Sequence, residues 1–279
     1  MPEGHTLHHH CRRHHGWFAG AAIRCTSPQG RFADGAGQLD GQVVSTVRAK
    51  GKHAFWTVPD AGVLHIHLGL YGRFVDHALP PPEPRGAVRL RVVGADRALD
   101  LIGPTRCELM TPDEAAAKQA KLGEDPLRDD ADPERALRRL AKTKRPIGAA
   151  LLDQSLIAGI GNVYRAELLF LAGLDPHTPA RDVPPDTLRK LWNDAVTLLT
   201  VGAVHNSIHV VGEAVEGPPG SATVDPADFE VPSRYGPRVD RLWVYKRPAC
   251  KLCGADIVVE EIGGRTAYRC PSCQQRPSQ

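Results

Sequence analysis

Four cysteines near the end of the chain, Cys250-x2-Cys253-x16-Cys270-x2-Cys273, dictate how that end must fold. Each Cys-x-x-Cys is a knuckle able to offer two thiolates to one tetrahedral ion at about 2.3 Å. The intervening residues suit a β-hairpin turning at Gly263-Gly264, which brings the two knuckles together. Disulfides are disfavoured by the expected intracellular setting and by an odd total of seven cysteines. A redox pair needs only one Cys-x-x-Cys. The spacing therefore predicts one structural zinc ion (Zn2+) with no open coordination position, an ion that folds the module and does not catalyse. Cys11, Cys25 and Cys107 read as buried small apolar residues.

At 279 residues the chain is long enough for two domains, and 42% hydrophobic with 24% charged residues describes an ordinary soluble protein. No apolar run reaches the roughly 18–20 residues of a membrane span. The N-terminus lacks the apolar core of a signal peptide, so no membrane partner and a cytoplasmic location are expected. The net charge is only +3, but it is unevenly spread. From Arg234 onward nine Lys/Arg face four acids, leaving the rest of the chain slightly acidic. A basic module on a nearly neutral body fits a polyanion-binding end, and equally a solvated charged tail.

Along the chain, residues 4–15 predict a helix with Leu7 and Cys11 on one face. Short β-branched runs follow at 43–47, 53–58, 63–68 and 88–93, punctuated by Gly and Pro. Many close strands favour a sandwich or barrel over a parallel sheet. After Pro112 the pattern turns helical: 113–122, 134–142 behind the Asp132-Pro133-Glu134 start, about 147–158, 162–173 and 185–203. Residues 216–237 read as a loop or linker, and no internal repeat is present.

Four further segments carry chemistry. Met1-Pro2-Glu3 would, once Met1 is removed, expose a secondary amine. An α-amino group titrates at roughly 7.7–8.0 against about 10.4 for lysine, so much of it is free to attack an aldehyde-like carbon. Glu3 supplies a carboxylate beside it for proton transfer; many chains begin Met-Pro by coincidence. Gly159-Ile160-Gly161-Asn162 joins two apolar helical segments, and amides at the second helix start, with Asn162, could hold a nucleic-acid phosphate. In His67-Leu68-Gly69-Leu70-Tyr71-Gly72 the alternation breaks at the glycines, leaving Leu70 and Tyr71 either as a wedge for a base stack or as core at a strand end. Lys52 sits at a turn, ready for phosphate or merely solvated. The five histidines among residues 8–15 read as a solvated helix face without a ligand role.

Together these residues resemble the formamidopyrimidine-DNA glycosylase and endonuclease VIII family of base-excision repair enzymes. The resemblance covers the whole chain, and Met1-Pro2-Glu3-Gly4 with the Leu70-Tyr71 turn is closest to the endonuclease VIII branch. It implies an α+β multidomain fold: an N-terminal β-sandwich with a leading helix (1–125), a helix–two-turn–helix domain (126–215), a linker (216–236) and a β-hairpin zinc finger (237–279). It implies a bifunctional DNA glycosylase and AP lyase that flips out and excises oxidised pyrimidines through a Schiff base, then cuts the strand by β,δ-elimination. Pro2 would be the nucleophile and Glu3 the acid/base. Lys52, Asn162 and Arg265 would grip the backbone, Leu70 and Tyr71 would fill the vacated stack, and Glu167 matches a family acid near the nucleophile.

The implied partner is double-stranded DNA holding an oxidised base or abasic site, bound by a nucleoid-associated monomer. Two departures stand out: His5-Thr6 replaces the Pro-Glu common after Gly4, and Gly69 replaces a polar residue of some relatives. The lesion-contacting loop is placed within 213–237. Rival readings are the same chemistry on oxidised purines, and a non-catalytic zinc-ribbon DNA-binding protein.

Overall fold

Leu7, Cys11, His14 and Phe18 recur at helical spacing, and all four are buried along one face of α1 (Gly4–Phe18). The structure is a computed structural model that describes residues 2–210 and 241–275. The expected linker at 216–236, the lesion-contacting loop within 213–237 and residues 237–240 of the finger segment lie outside the described residues. The chain divides into two units, Met1–Lys121 and Leu122–Gln279.

In the first unit α1 leads into β1 (Arg24–Thr26), α2 (Ala33–Leu39), β2 (Thr46–Lys50), β3 (His53–Val58), β4 (Gly62–His67) and β5 (Arg73–Ala78). Then come β6 (Val88–Val93), β7 (Arg97–Ile102), β8 (Arg106–Met110) and α3 (Pro112–Ala120). Two antiparallel four-stranded sheets result, ordered β1-β6-β7-β5 and β2-β3-β4-β8. Their apolar faces, with Val47, Trp56, Leu64 and Ile66 from one and Phe74, Leu90, Val92 and Leu101 from the other, share a core with α1. This is the expected sandwich with its leading helix. Within β6 the alternation is broken by Arg91, which is buried because Asp100 stands directly opposite on β7 and accepts two of its hydrogen bonds, at 2.7 and 2.8 Å.

The second unit holds α4 (Pro133–Leu140), α5 (Ile147–Ala150), α6 (Asn162–Leu171) and α7 (Pro185–His205), then the hairpin of β9 (Val258–Ile262) and β10 (Arg265–Arg269). α4 starts as its sequence dictates, with Pro133 in the first turn and the Asp132 carboxylate accepting from the Arg135 amide at 3.0 Å. The helix expected over 147–158 is a correction: it lasts one turn. Asp153 Oδ1 accepts from both the amide and hydroxyl of Ser155, a local bond that competes with helix propagation. The chain then passes through Gly159 at φ +101° into α6, which gives the helix–two-turn–helix.

Candidate active site and nucleic-acid interface

Glu3 is the N-cap of α1, with extended backbone, and its side chain is fully buried; Pro2 before it is half-buried. The N-terminal nucleophile candidate thus stands at the head of a helix anchored in the sandwich core. The departing residue His5 is buried one turn in, with Nε2 3.2 Å from the Thr6 hydroxyl.

Strand pairing brings three other candidates to one end of the second sheet. Lys50 lies opposite His53 across the β2–β3 turn that carries Lys52, and His53 lies opposite His67, where β4 ends. The segment after His67 is closed by the Gly72 amide donating to the Leu68 carbonyl at 3.0 Å. Gly69 adopts φ +68°, and a Cβ there would run into Thr105. A polar side chain at this position would therefore be both strained and obstructed. The loop leaves Leu70 49% and Tyr71 84% exposed, which removes the strand-end core alternative for this pair.

Beside Lys52 lies a network the sequence did not disclose. His53 Nδ1 is 2.8 Å from His65 Nε2, and His65 Nδ1 is 2.8 Å from Glu108 Oε1, with Lys118 Nζ on the same oxygen at 3.3 Å. Burial, then the nearby His67 and His65, push His53 down to about 3, so its ring is neutral near pH 7. Burial also lowers His65, against the pull of Glu108. No spacing rule marks this set, because its members come from three strands and α3.

In the second unit α6 is the organiser. Asn162 Nδ2 donates to the Thr266 carbonyl at 2.9 Å, next to Arg265, so these two candidates are neighbours. Arg265 itself is exposed. Arg165, almost fully buried, donates to the Thr266, Ile262 and Gly148 carbonyls at 2.6, 3.4 and 3.3 Å and so fixes the hairpin tip against α5. Gly263 fits there because a Cβ would meet that of Ala149 at 2.8 Å. Sequence reasoning missed Arg165, whose available signal was a charge in a mostly apolar helix.

Glu167 requires a correction. It is 0% exposed and accepts from the amides of Trp243, Val244 and Tyr245 at 2.7, 3.1 and 2.8 Å, so it cannot touch DNA. Burial pushes its carboxyl up while these donors oppose the shift. It ties α6 to the segment leading into the finger.

The four Sγ atoms of Cys250, Cys253, Cys270 and Cys273 all lie within 4.8 Å of one another. Cys250–Cys273 and Cys253–Cys270 are 4.0 and 3.4 Å apart, near the roughly 3.8 Å edge of a tetrahedron with ~2.3 Å bonds. Both knuckles turn alike, Gly254 N–H donating to Cys250 O and Gln274 N–H to Cys270 O. The Ala255 amide and neighbouring thiols hold Cys253 down to about 7, whereas burial raises Cys250 and Cys273. Four crowded sulfurs of this kind suit a cation, and the donor set fits a metal with no free position.

The histidine tract also differs from expectation. His8, His10 and His14 are buried, since they share the inward face of α1 with Leu7 and Cys11; only part of the tract is solvated. Cys11 and Cys25 are buried as expected, and burial pushes Cys25 up to about 12; Cys107 is half-buried, its thiol also pushed up by burial to about 12.

Comparison with known proteins adds an independent line. The family described as "Formamidopyrimidine-DNA glycosylase N-terminal domain" matches residues 1–106, and "Formamidopyrimidine-DNA glycosylase H2TH domain" matches 122–212. The chain is 45% identical to the Mycobacterium tuberculosis protein named Endonuclease 8 1, covering 98% of this chain and 100% of that one. It is 32% identical to the formamidopyrimidine-DNA glycosylase of Thermosynechococcus vestitus, over 85% and 81% of the two chains. Among solved structures, wild-type Lactococcus lactis Fpg in complex with N7-benzyl-Fapy-dG-containing DNA aligns at a TM-score of 0.76 and 24% identity, covering 99% and 100%.

Proposed function

The chain belongs to the formamidopyrimidine-DNA glycosylase family, which makes it a base-excision repair DNA glycosylase with AP lyase activity, and from that premise we propose that it removes oxidised pyrimidines from duplex DNA through the amine of Pro2. The observation that carries the reading is the junction of Pro2 and Glu3 at the head of α1. One residue becomes the first of the chain after Met1 removal; the other occupies the helix N-cap position with its carboxylate buried.

The chemistry needs a nucleotide outside the stack, because the sugar carbon is otherwise hidden, and flipping costs a few kcal/mol. Lys52, Asn162 and Arg265 offset that cost by holding backbone phosphates, while Leu70 and Tyr71 occupy the gap. Asn162 acts with its side-chain amide anchored on the hairpin, so helix start and Arg265 are presented together. Pro2 nitrogen then bonds to the anomeric carbon, the glycosidic bond breaks, and Glu3 delivers a proton as the base departs and the sugar opens. The resulting iminium acidifies neighbouring sugar protons, and two eliminations release the phosphates on either side. Cys250, Cys253, Cys270 and Cys273 would hold a zinc ion, which when bound would fold the hairpin that carries Arg265.

Preference for pyrimidines rests on the 45% identity to a protein named Endonuclease 8, against 32% to one named formamidopyrimidine-DNA glycosylase. No described helix is long and apolar enough to cross a membrane, and the reading is completed by a monomer acting at the nucleoid in the cytoplasm. Excision of an oxidised pyrimidine and an oxidised purine, competed in one reaction with duplexes of different length, tests the preference. Faster release of the pyrimidine with phosphate at both new ends is expected; equal or faster release of the purine assigns the enzyme to the other branch.

A further inference from the structure

We propose that His10, His14 and Asp76 form a second metal site in the first unit, taking one zinc-class divalent cation. The two histidines are one turn apart on the inward face of α1, and Asp76 reaches them from β5. One donor atom from each lies within 4.8 Å of the other two. His14 Nε2 and Asp76 Oδ1 are 3.1 Å apart, close to the separation of two ligands on one ion with bonds of about 2.0–2.2 Å.

Two features favour a metal over a hydrogen-bonded pair alone. The Nδ1 atom of His10 is buried without a hydrogen-bond partner, although buried imidazole nitrogens ordinarily find one. Two imidazoles and a carboxylate form the donor set that borderline divalent ions select. Arg13 stands on the outer carboxylate oxygen at 3.4 Å with its guanidinium over Trp17, and His9 flanks His10. Phe74 and Trp56 wall the inner side at ring distances of 4.9 and 5.6 Å from His14. A three-ligand ion here leaves a position for water, yet it sits among aromatic side chains. It would pin α1, and with it the nucleophile, to β5.

The test is metal counting on the full-length protein after saturation with zinc chloride and desalting. Wild type should hold two zinc ions per chain: p-hydroxymercuribenzoate, which attacks thiolates, should release one, and acid the second. Asp76→Asn and His10→Gln, each checked for native circular dichroism, should hold one ion, all of it released by the mercurial. Wild type with a single, fully mercurial-released ion overturns the proposal, whatever the variants do. Retention of two ions by a folded Asp76→Asn variant overturns it too, because the surface histidines would then be the ligands.

Discussion

Glu167 shows how a single residue can carry a motif and yet play a different part from the one its position implies. Its carboxylate caps three consecutive amides, so Glu167→Ala should destabilise the second unit by about 3 kcal/mol, the cost of stranding buried donors. Glu167→Gln, which keeps one acceptor, should cost less; equal urea midpoints for wild type and Glu167→Ala would remove the latch role. Leu70 and Tyr71 are the opposite case. Both are exposed, so truncating either to alanine should leave the melting temperature within about a degree or two, while excision from duplex falls at least tenfold and excision from single-stranded DNA changes little. At this scale the sequence was legible where chemistry follows spacing, as in the four cysteines, whose sulfurs come together. It was opaque where partners are distant: Arg165 and Glu167 bond to residues about a hundred and about eighty positions away.

Among elements, the hairpin β9–β10 and the second sheet are the two that depend most on groups the sequence pattern does not reveal. Cysteine knuckles and the Gly263-Gly264 turn made the hairpin predictable, since both glycines adopt positive φ, +62° and +74°. The seating of its tip, through Arg165 and the close approach of Gly263 to Ala149, was not. Chelation of the metal should therefore abolish duplex binding while far-ultraviolet helical signal is largely kept, because α4 to α7 bury their own core. In the second sheet the neutral His53 predicts pH-dependent stability. Its folded value, about 3, is below the ordinary 6.5, so the unfolded chain binds the extra proton. Stability is then complete above pH 6.5 and falls as the pH drops towards 4, by up to about 1.4 kcal/mol per pH unit. Thermal melts should show that decline for wild type and a shallower one for His53→Phe; parallel profiles would mean that His53 is not its source.

At the scale of the whole molecule, the order of parts was readable because each announces itself by a different period. Strands alternate, helices repeat every three to four residues, and the finger is marked by cysteines. Elements β1, α2, β5, β7 and β8 escaped notice: β1 has three residues, α2, Ala-Asp-Gly-Ala-Gly-Gln-Leu, has too little apolar pattern, and β5, β7 and β8 carry charged residues within their runs. The proposed phosphate contacts of Lys52 and Arg265 predict that Lys52→Ala and Arg265→Ala each lower the salt dependence of affinity by about one unit of slope. The account stands or falls on the terminal amine. Wild-type protein is incubated with duplex DNA bearing an oxidised pyrimidine, reduced with borohydride, digested, and the adduct located by mass spectrometry. The account predicts the reduced sugar on the nitrogen of Pro2 in protein lacking Met1; attachment to a lysine instead, or excision with no covalent adduct from wild type, would contradict it.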